Sequence, residues 1–105
     1  MNIQQLKNIV ALAEKLNFTR AAEEMNIVQP AFSRQIKQLE EEIGVKLFDR
    51  NKRNVSVTKA GDYFVVESKK ILRLLDKAII ETAKIDTGES GEIRIGFTHS
   101  ALQTT

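Results

Sequence analysis

Cysteine is absent from the 105 residues of this chain, and no apolar run approaches the roughly 20 residues that span a bilayer. Without thiols, the chain has neither disulfides nor thiolate metal sites, which fits a reducing cytoplasm. Its first residues, "MNIQQLKNIV", lack the basic segment and apolar core of a signal peptide. We therefore expect a cytoplasmic protein that has no membrane partner.

Residue patterns that support catalysis are scarce as well. The sequence has no glycine-rich phosphate loop and no cluster of metal-ligating residues. His99, the single histidine, lies between Thr98 and Ser100, which are residue types of a nucleophile. Sequence neighbours near a chain end rarely form a catalytic site, however. The sequence therefore predicts no enzyme, no metal site and no cofactor in this chain.

Length and charge fit one small domain with an attached piece of another. Residues 1–60 contain ten Lys and Arg against seven Asp and Glu, whereas residues 61–105 contain six against seven. A basic excess in one half is compatible with nucleic-acid binding, and it is also found on ordinary solvated surfaces. Charge alone does not separate these two interpretations.

Three helices are predicted in the first 44 residues. Apolar residues recur at three- and four-residue steps over residues 3–16, which predicts a first helix. A short second helix, "RAAEEM", follows, with Thr19 as its N-cap. The third helix begins at Pro30, a residue suited to the first helical position, and ends at Gly44, a residue suited to the position just past a helix.

Charges on the third helix have an unusual order. Its core stripe consists of Phe32, Ile36, Leu39 and Ile43, and its opposite face carries Pro30, Arg34, Lys37, Gln38 and Glu41, with Ser33 on the flank. Bases precede acids along this face, the reverse of the order that the helix dipole favours. The order suits a helix whose first half enters the major groove of DNA. The alternative is an ordinary surface on which Lys37 pairs with Glu41 one turn away.

The elements on either side of this helix favour DNA binding. A short helix with the small residues Ala21 and Ala22, a tight turn and a longer helix form a helix-turn-helix, whose second helix lies in the major groove. Two β-like runs follow, at residues 45–48 and 54–58, and they enclose a basic tip at residues 49–53. The basic residues of this tip are Arg50, Lys52 and Arg53. They are suited to a wing that contacts phosphates or the minor groove.

A helix of more than seven turns, residues 59–86, is predicted next, with Thr58 as its N-cap. Its apolar band has heptad-like spacing and includes Phe64, Ile71, Leu72, Leu75, Ala78 and Ile79. This band favours dimerisation with a second copy of the chain, which would also suit recognition of two half-sites. The alternative is burial against a further part of the same protein.

The motifs "FTRAAEEM", "QPAFSRQIKQLEEEIGVKLFDR" and "RNVSVTKAG", followed by the long helix, resemble the N-terminal region of LysR-type transcriptional regulators. The resemblance covers nearly the whole chain. It implies a mainly α fold, in which a winged helix-turn-helix (residues 1–58, three helices and a two-stranded wing) precedes a linker helix (residues 59–86). It further implies a hinge at residues 87–92, and it identifies residues 93–105, with a strand at 93–97, as the start of an effector-binding domain.

This resemblance also implies a function and a set of contacts. The function is that of a bacterial regulator that binds promoter DNA, at an interrupted inverted repeat, as a homodimer. By this resemblance Gln29, Pro30, Ser33 and Arg34 approach bases or nearby backbone, and Arg53 serves the wing. The full set of expected DNA-binding residues also includes Thr19, Arg20, Lys37, Arg50 and Lys52. Val28 departs from the family pattern, because Ser usually precedes the Gln-Pro pair, and a helix-capping hydroxyl is thereby lost.

For a full-length protein the resemblance implies a small-molecule effector bound in a C-terminal domain, with a tetramer and contact with RNA polymerase as further expectations. The rival interpretation is a winged-helix module whose basic face contacts an acidic protein. Steep loss of DNA affinity with salt would favour the first interpretation, because phosphate neutralisation releases counterions. Salt-insensitive binding of a partner through the long helix would favour the second.

Overall fold

The computed structural model describes residues 1–51 and 53–87, which form helices and one two-stranded sheet. In chain order the elements are α1 (Ile3–Lys15), α2 (Phe18–Glu24), α3 (Gln29–Ile43), β1 (Phe48–Arg50), β2 (Val55–Val57) and α4 (Lys59–Asp86). This is the mainly α, winged helix-turn-helix arrangement that the sequence predicts. The predicted strand at residues 93–97, His99 and most of the predicted hinge lie outside the described residues.

Side-chain caps fix the starts of the first two helices. At α1, the Asn2 side chain accepts from the Gln5 amide at 2.8 Å, and the Gln5 side chain accepts from the Asn2 amide at 3.1 Å. This reciprocal pair is a capping box. At α2, Asn17 Oδ1 accepts from the Arg20 amide at 2.8 Å. The prediction of Thr19 as N-cap is therefore wrong, because Asn17 has the extended backbone and the reach that a cap needs.

The third helix begins one residue before Pro30 and ends where the sequence predicts. Val28 occupies its N-cap position and makes no side-chain capping bond there. Gly44 follows its last residue with φ 84°, and the Gly44 amide donates to the Glu40 carbonyl at 2.8 Å. This left-handed conformation is the one that glycine adopts most easily.

A single core joins the three short helices to the sheet. Its members are buried apolar residues from α1 (Ile9, Ala11, Leu12), α2 (Ala21, Ala22), α3 (Phe32, Ile36, Leu39), the residue before β1 (Leu47), β1 (Phe48) and α4 (Val65). The two alanines of α2 are almost fully buried, as expected of small residues where helices cross closely. The predicted core stripe of α3 is confirmed, with Ile43 half-buried at its end.

Strands β1 and β2 pair in antiparallel register, with Phe48 opposite Val57 and Arg50 opposite Val55. We call β1, β2 and the turn that joins them the wing. The prediction of a first strand at residues 45–48 is wrong, since β1 begins at Phe48 and includes Arg50. The physical reason is the register of the pair, since β2 ends at Val57, opposite Phe48, and offers no strand partner to residues 45–47.

Residues Thr58 and Gly61 connect the wing to α4. Thr58 Oγ1 accepts from the Gly61 amide at 2.9 Å and donates to the Lys46 carbonyl at 2.8 Å, so the predicted N-cap is confirmed. A Cβ atom at Gly61 would overlap the Leu47 carbonyl and lie 2.9 Å from Val57 Cγ1. Glycine is therefore required for the close approach of α4 to the wing.

Compact packing divides the chain into two units, Met1–Lys69 and a second that begins at Lys70. The first contains the helix-turn-helix, the wing and the first turns of α4. Within the described part of the second, residues 70–87, α4 continues to Asp86. None of the helices in the described residues is long and apolar enough to cross a bilayer.

Candidate nucleic-acid interface

The outward face of α3 is a basic and amide-bearing surface. Its members Pro30, Arg34, Lys37, Gln38 and Glu41 are exposed, Gln29 is exposed at the start of the helix, and Ser33 is half-buried. The opposite stripe is in the core. The structure thus confirms that the predicted outward face of α3 is accessible, and its contacts with DNA stay a prediction. Arg donors and amide groups of this kind bind base edges and phosphates.

A chain of side-chain amides holds this helix against α1. Gln4 Nε2 donates to Asn8 Oδ1 at 2.9 Å, and Asn8 Nδ2 donates to Gln35 Oε1 at 2.7 Å. Asn8 is fully buried, Gln35 is half-buried and Gln4 is exposed, so the two bonds run from the surface into the contact between the helices. Sequence reasoning missed this contact. The available signal was the four-residue spacing of Gln4 and Asn8, which places both side chains on one side of α1.

Glu40, near the end of α3, is not a solvated acid. It is only 7% exposed, and its Oε2 accepts from the backbone amides of Leu47 at 2.8 Å and Phe48 at 3.0 Å. Its Oε1 accepts from Arg50 Nη2 at 3.3 Å. These three donors replace hydrogen bonds that the buried carboxylate would otherwise make to water. The sequence predicts only that the glutamates near the end of α3 avoid the phosphates. It did not indicate that Glu40 binds the wing.

The two following glutamates have different surroundings. Glu42 accepts from the Met1 ammonium group at 2.7 and 3.0 Å. Glu41 is exposed. No ion pair among the described residues joins Lys37 to Glu41, the pair on which the ordinary-surface interpretation rests. Acids and bases along α3 therefore have different surroundings. Glu40 binds the wing, whereas Arg34 and Lys37, which precede it, are exposed.

Arg50 does not lie at an exposed hairpin tip, and that part of the prediction is wrong. It is in β1, its side chain is 26% exposed, and its guanidinium carbon lies 4.9 Å from the centre of the Phe18 ring. The same guanidinium pairs with Glu40. The Phe18 ring in turn packs edge-on against Phe32, with ring centres 6.2 Å apart. The attraction of Glu40 and of the ring face turns this cation inward.

The tip of the wing itself is a short turn organised by Asn51. Its side chain accepts from the amides of Arg53 and Asn54 at 3.0 and 2.8 Å, and its amide donates to the Asn54 carbonyl at 3.0 Å. Arg53 is exposed beside this turn, as expected of a wing cation. Lys52 lies outside the described residues.

On α2, Thr19 and Arg20 are both exposed. They belong to the first turn of the helix that precedes α3, and their contact with DNA stays a prediction. The residues that the structure describes contain no group of three or more His, Cys, Asp or Glu side chains that could hold a metal ion. The site is therefore a surface of cations and amides.

The predicted dimerisation band on α4 is buried to different degrees along its length. Phe64 is half-buried and Ser68 is fully buried within the first unit. In the second unit, exposed band residues are Ile71 (46%), Leu75, Ala78 and Ile79, and Leu72 is half-buried. Apolar exposure on this scale is typical of a surface that another helix covers. The dimer remains a prediction.

Comparison with known proteins points to one family. The family model described as bacterial regulatory helix-turn-helix protein, lysR family, matches residues 3–62. The HTH-type transcriptional regulator YnfL of Escherichia coli K12 is 47% identical over 103 residues, which are 96% of this chain and 35% of YnfL. BudR of Klebsiella aerogenes is 44% identical over 100 residues, 95% of this chain and 70% of BudR. The chain thus spans about a third of the length of YnfL.

Solved structures with the same fold include complexes with DNA. The BenM DNA-binding domain bound to catB site 1 DNA has a TM-score of 0.82 and 36% identity, and the match covers 89% of this chain and all of that one. The CbnR DNA-binding domain, also in a DNA complex, has a TM-score of 0.79 and 32% identity, with coverage of 82% and 99%. Full-length CbnR with its target DNA is matched over 80% of this chain and 29% of CbnR, with 33% identity and a TM-score of 0.76.

Proposed function

We propose a mode of DNA binding for this chain, which belongs to the lysR family of bacterial regulatory helix-turn-helix proteins. The chain is a DNA-binding module of that family. The N-terminal half of α3 enters the major groove, and the wing lies at the adjacent minor groove. The observation that carries this proposal is the exposed basic face of α3, which the core and the Asn8–Gln35 hydrogen bond hold in one orientation.

Individual contacts follow from exposure and chemistry. Arg34 presents a fork of donors to a base edge, most favourably that of guanine. The residues proposed beside it at bases or nearby backbone are Gln29, Pro30, Ser33 and Lys37, while Thr19 and Arg20 approach the phosphates. Arg53, with Lys52, acts at the minor groove. We leave Arg50 out of the contact set because Glu40 and Phe18 occupy its guanidinium group.

The proposal includes a homodimer formed through α4. Support comes from the exposed apolar residues between Ile71 and Ile79, which a second copy of the helix would cover. A two-fold dimer reads an inverted repeat, with each α3 in one half-site. The competing explanation is that another part of a longer chain covers the same residues.

For a longer protein that carries this module, we propose a cytoplasmic transcriptional regulator of promoter DNA. The matched relatives are longer than this chain, which leaves room for a C-terminal domain that binds a small-molecule effector. Tetramer formation and contact with RNA polymerase belong to the same proposal.

The decisive experiment is selection of bound fragments from the host genome, followed by titration of labelled duplexes at several salt concentrations. Specific binding should weaken steeply with salt, with a slope of about −0.9 in log K against log salt for each neutralised phosphate. The control is a duplex of equal length and scrambled sequence. Equal affinity for both duplexes, or salt-insensitive binding of an acidic protein in their place, would contradict the proposal.

A further inference from the structure

We propose that Glu40 is a positioning residue for DNA recognition, which fixes the wing to α3 so that both grooves are contacted at one set spacing. The inference rests on the proposed function, because it concerns how two DNA-contacting elements are held relative to each other. In this proposal Glu40 itself does not contact DNA.

The first support is the use of both carboxylate oxygens. Oε2 accepts from the amides of Leu47 and Phe48. Leu47 is the last residue before β1, and Phe48 is its first residue. Oε1 accepts from Arg50 at the other end of that three-residue strand. One side chain of α3 is therefore bonded to both ends of β1. Two attachment points fix direction as well as position.

A second support is the way Arg50 extends this attachment to α2. Its Nη2 atom lies 3.3 Å from Glu40 Oε1, and its Cζ atom lies 4.9 Å from the centre of the Phe18 ring. Phe18 is the first residue of α2, and its ring contacts Phe32 of α3. The wing is thus held by both helices of the helix-turn-helix. Arg50 Nε is buried without a hydrogen-bond partner within the described residues, so its orientation depends on Glu40 and Phe18.

The consequence for recognition is geometric. Glu40 lies three residues beyond Lys37, at the opposite end of the same rigid helix from Gln29 and Pro30. Arg53 lies beyond the end of β1, so a small tilt of the strand is enlarged at the tip. Functional contacts lose strength when their supporting residues allow displacements on the order of 1 Å. Loosening Glu40 should therefore affect Arg53 and leave Arg34 unaffected.

The test is a pair of double-mutant cycles on DNA affinity with Glu40→Gln. The glutamine oxygen can still accept from the Leu47 and Phe48 amides. Its neutral NH₂ group replaces Oε1, so the ion pair with Arg50 is lost. In this background, the loss of affinity caused by Arg53→Ala should shrink by about threefold or more, as expected for residues that share a network. The loss caused by Arg34→Ala should stay within about twofold of its wild-type value. Glu41→Gln, which removes the same charge one residue further on, is the matched control and should change neither value.

A duplex series gives a second readout. Insertion of one base pair between the half-site contacted by α3 and the minor-groove segment proposed for Arg53 should weaken the wild type more than Glu40→Gln, because a loosened wing tolerates altered spacing. Should Glu40→Gln fail to fold by circular dichroism, Arg50→Met enters the same cycles. It keeps an apolar side chain beside Phe18 and removes the ion pair.

Additive cycles in a folded variant, or equal sensitivity to the inserted base pair, would overturn the inference and leave the proposed function intact. Absence of specific DNA binding by the wild-type chain would overturn the proposed function, and the inference with it. The two failures are therefore distinguishable.

Discussion

Asn8 of α1 and Gln35 of α3 are joined by a hydrogen bond of 2.7 Å, and Asn8 is fully buried. Together with the core stripe, this bond fixes the rotation of α3 about its own axis, since Gln35 lies on the flank of the helix between that stripe and the exposed face. The exposed face carries Arg34, Lys37 and Gln38. A buried polar side chain thus contributes to where the cations point.

Replacement of Asn8 tests how much its hydrogen bonds stabilise the fold. Asn8→Leu should lower the free energy of unfolding by about 1–3 kcal/mol, because it removes the partner of Gln35 and of Gln4. Urea denaturation followed by circular dichroism measures the change. Gln4→Ala, an exposed truncation at the other end of the amide chain, is the control and should cost less. Equal losses would show that burial of Asn8 does not determine the effect.

The two described glycines provide a matched comparison. Gly61→Ala should destabilise the fold by about 1–3 kcal/mol, because the new methyl overlaps the Leu47 carbonyl. Gly44 has nothing within 4 Å of the same added atom, so Gly44→Ala should cost only the conformational penalty of positive φ, about 1 kcal/mol. Thermal and urea unfolding of both variants checks the order. A larger loss at Gly44 would contradict the packing of α4 against the wing.

Val28 offers a stabilising substitution. It is 72% exposed at the N-cap of α3 and bonds no helix amide. Val28→Ser should raise the free energy of unfolding by about 0.5–1 kcal/mol, because the hydroxyl accepts from an unpaired amide in the first turn. Val28→Ala removes the apolar side chain without adding an acceptor, and it should give no comparable gain. The same gain in both variants would exclude capping as the cause.

Dimerisation is tested at Leu75. Leu75→Lys places a charge within the exposed apolar band, so it should shift the dimer towards monomer while the winged domain stays folded. Sedimentation at micromolar concentration measures the mass, and Leu75→Met, which keeps the position apolar, is the control. If the lysine variant sediments with the wild-type mass, the α4 interface is wrong.

The two ends of α3 should respond differently when DNA binding is measured. Arg34→Ala should cost roughly 1–3 kcal/mol and relax the preference at one base position, if that side chain contacts a base. Arg53→Ala should weaken binding mainly where A·T pairs narrow the minor groove. Glu41→Gln should leave preference intact. Affinity for a panel of inverted-repeat duplexes at two salt concentrations distinguishes these outcomes, and a change of preference by Glu41→Gln equal to that of Arg34→Ala would exclude the proposed groove placement.

Periodicity and end signals predicted the helices well. The stripe from Phe32 to Leu39, the stop at Gly44 and the cap at Thr58 depend on residues close in sequence, so local rules suffice for them. The family resemblance was likewise confirmed, and the matched relatives are transcriptional regulators, as expected of a chain that is not an enzyme.

Apart from the local cap of α2 at Asn17, the missed contacts that matter most for the candidate site join distant residues. Glu40 and Arg50 are ten residues apart and meet only because the wing folds back on α3. Asn8 and Gln35 are separated by 27 residues. From the sequence, Arg50 could not be distinguished from Arg53, since both are cations near one hairpin. Only the positions of the Phe18 ring and the Glu40 carboxylate separate a structural cation from an exposed one.

The three successive glutamates in the last turn of α3 are also unequal as sites for changing the charge of the surface. The chain has a formal net charge of +2, and neutralising any one glutamate raises it by the same amount. At Glu41 that change alters only the field around an exposed position. At Glu40 it removes the charge that attracts Arg50 and weakens the attachment of β1 to α3. An engineer who seeks a more cationic variant should begin at Glu41.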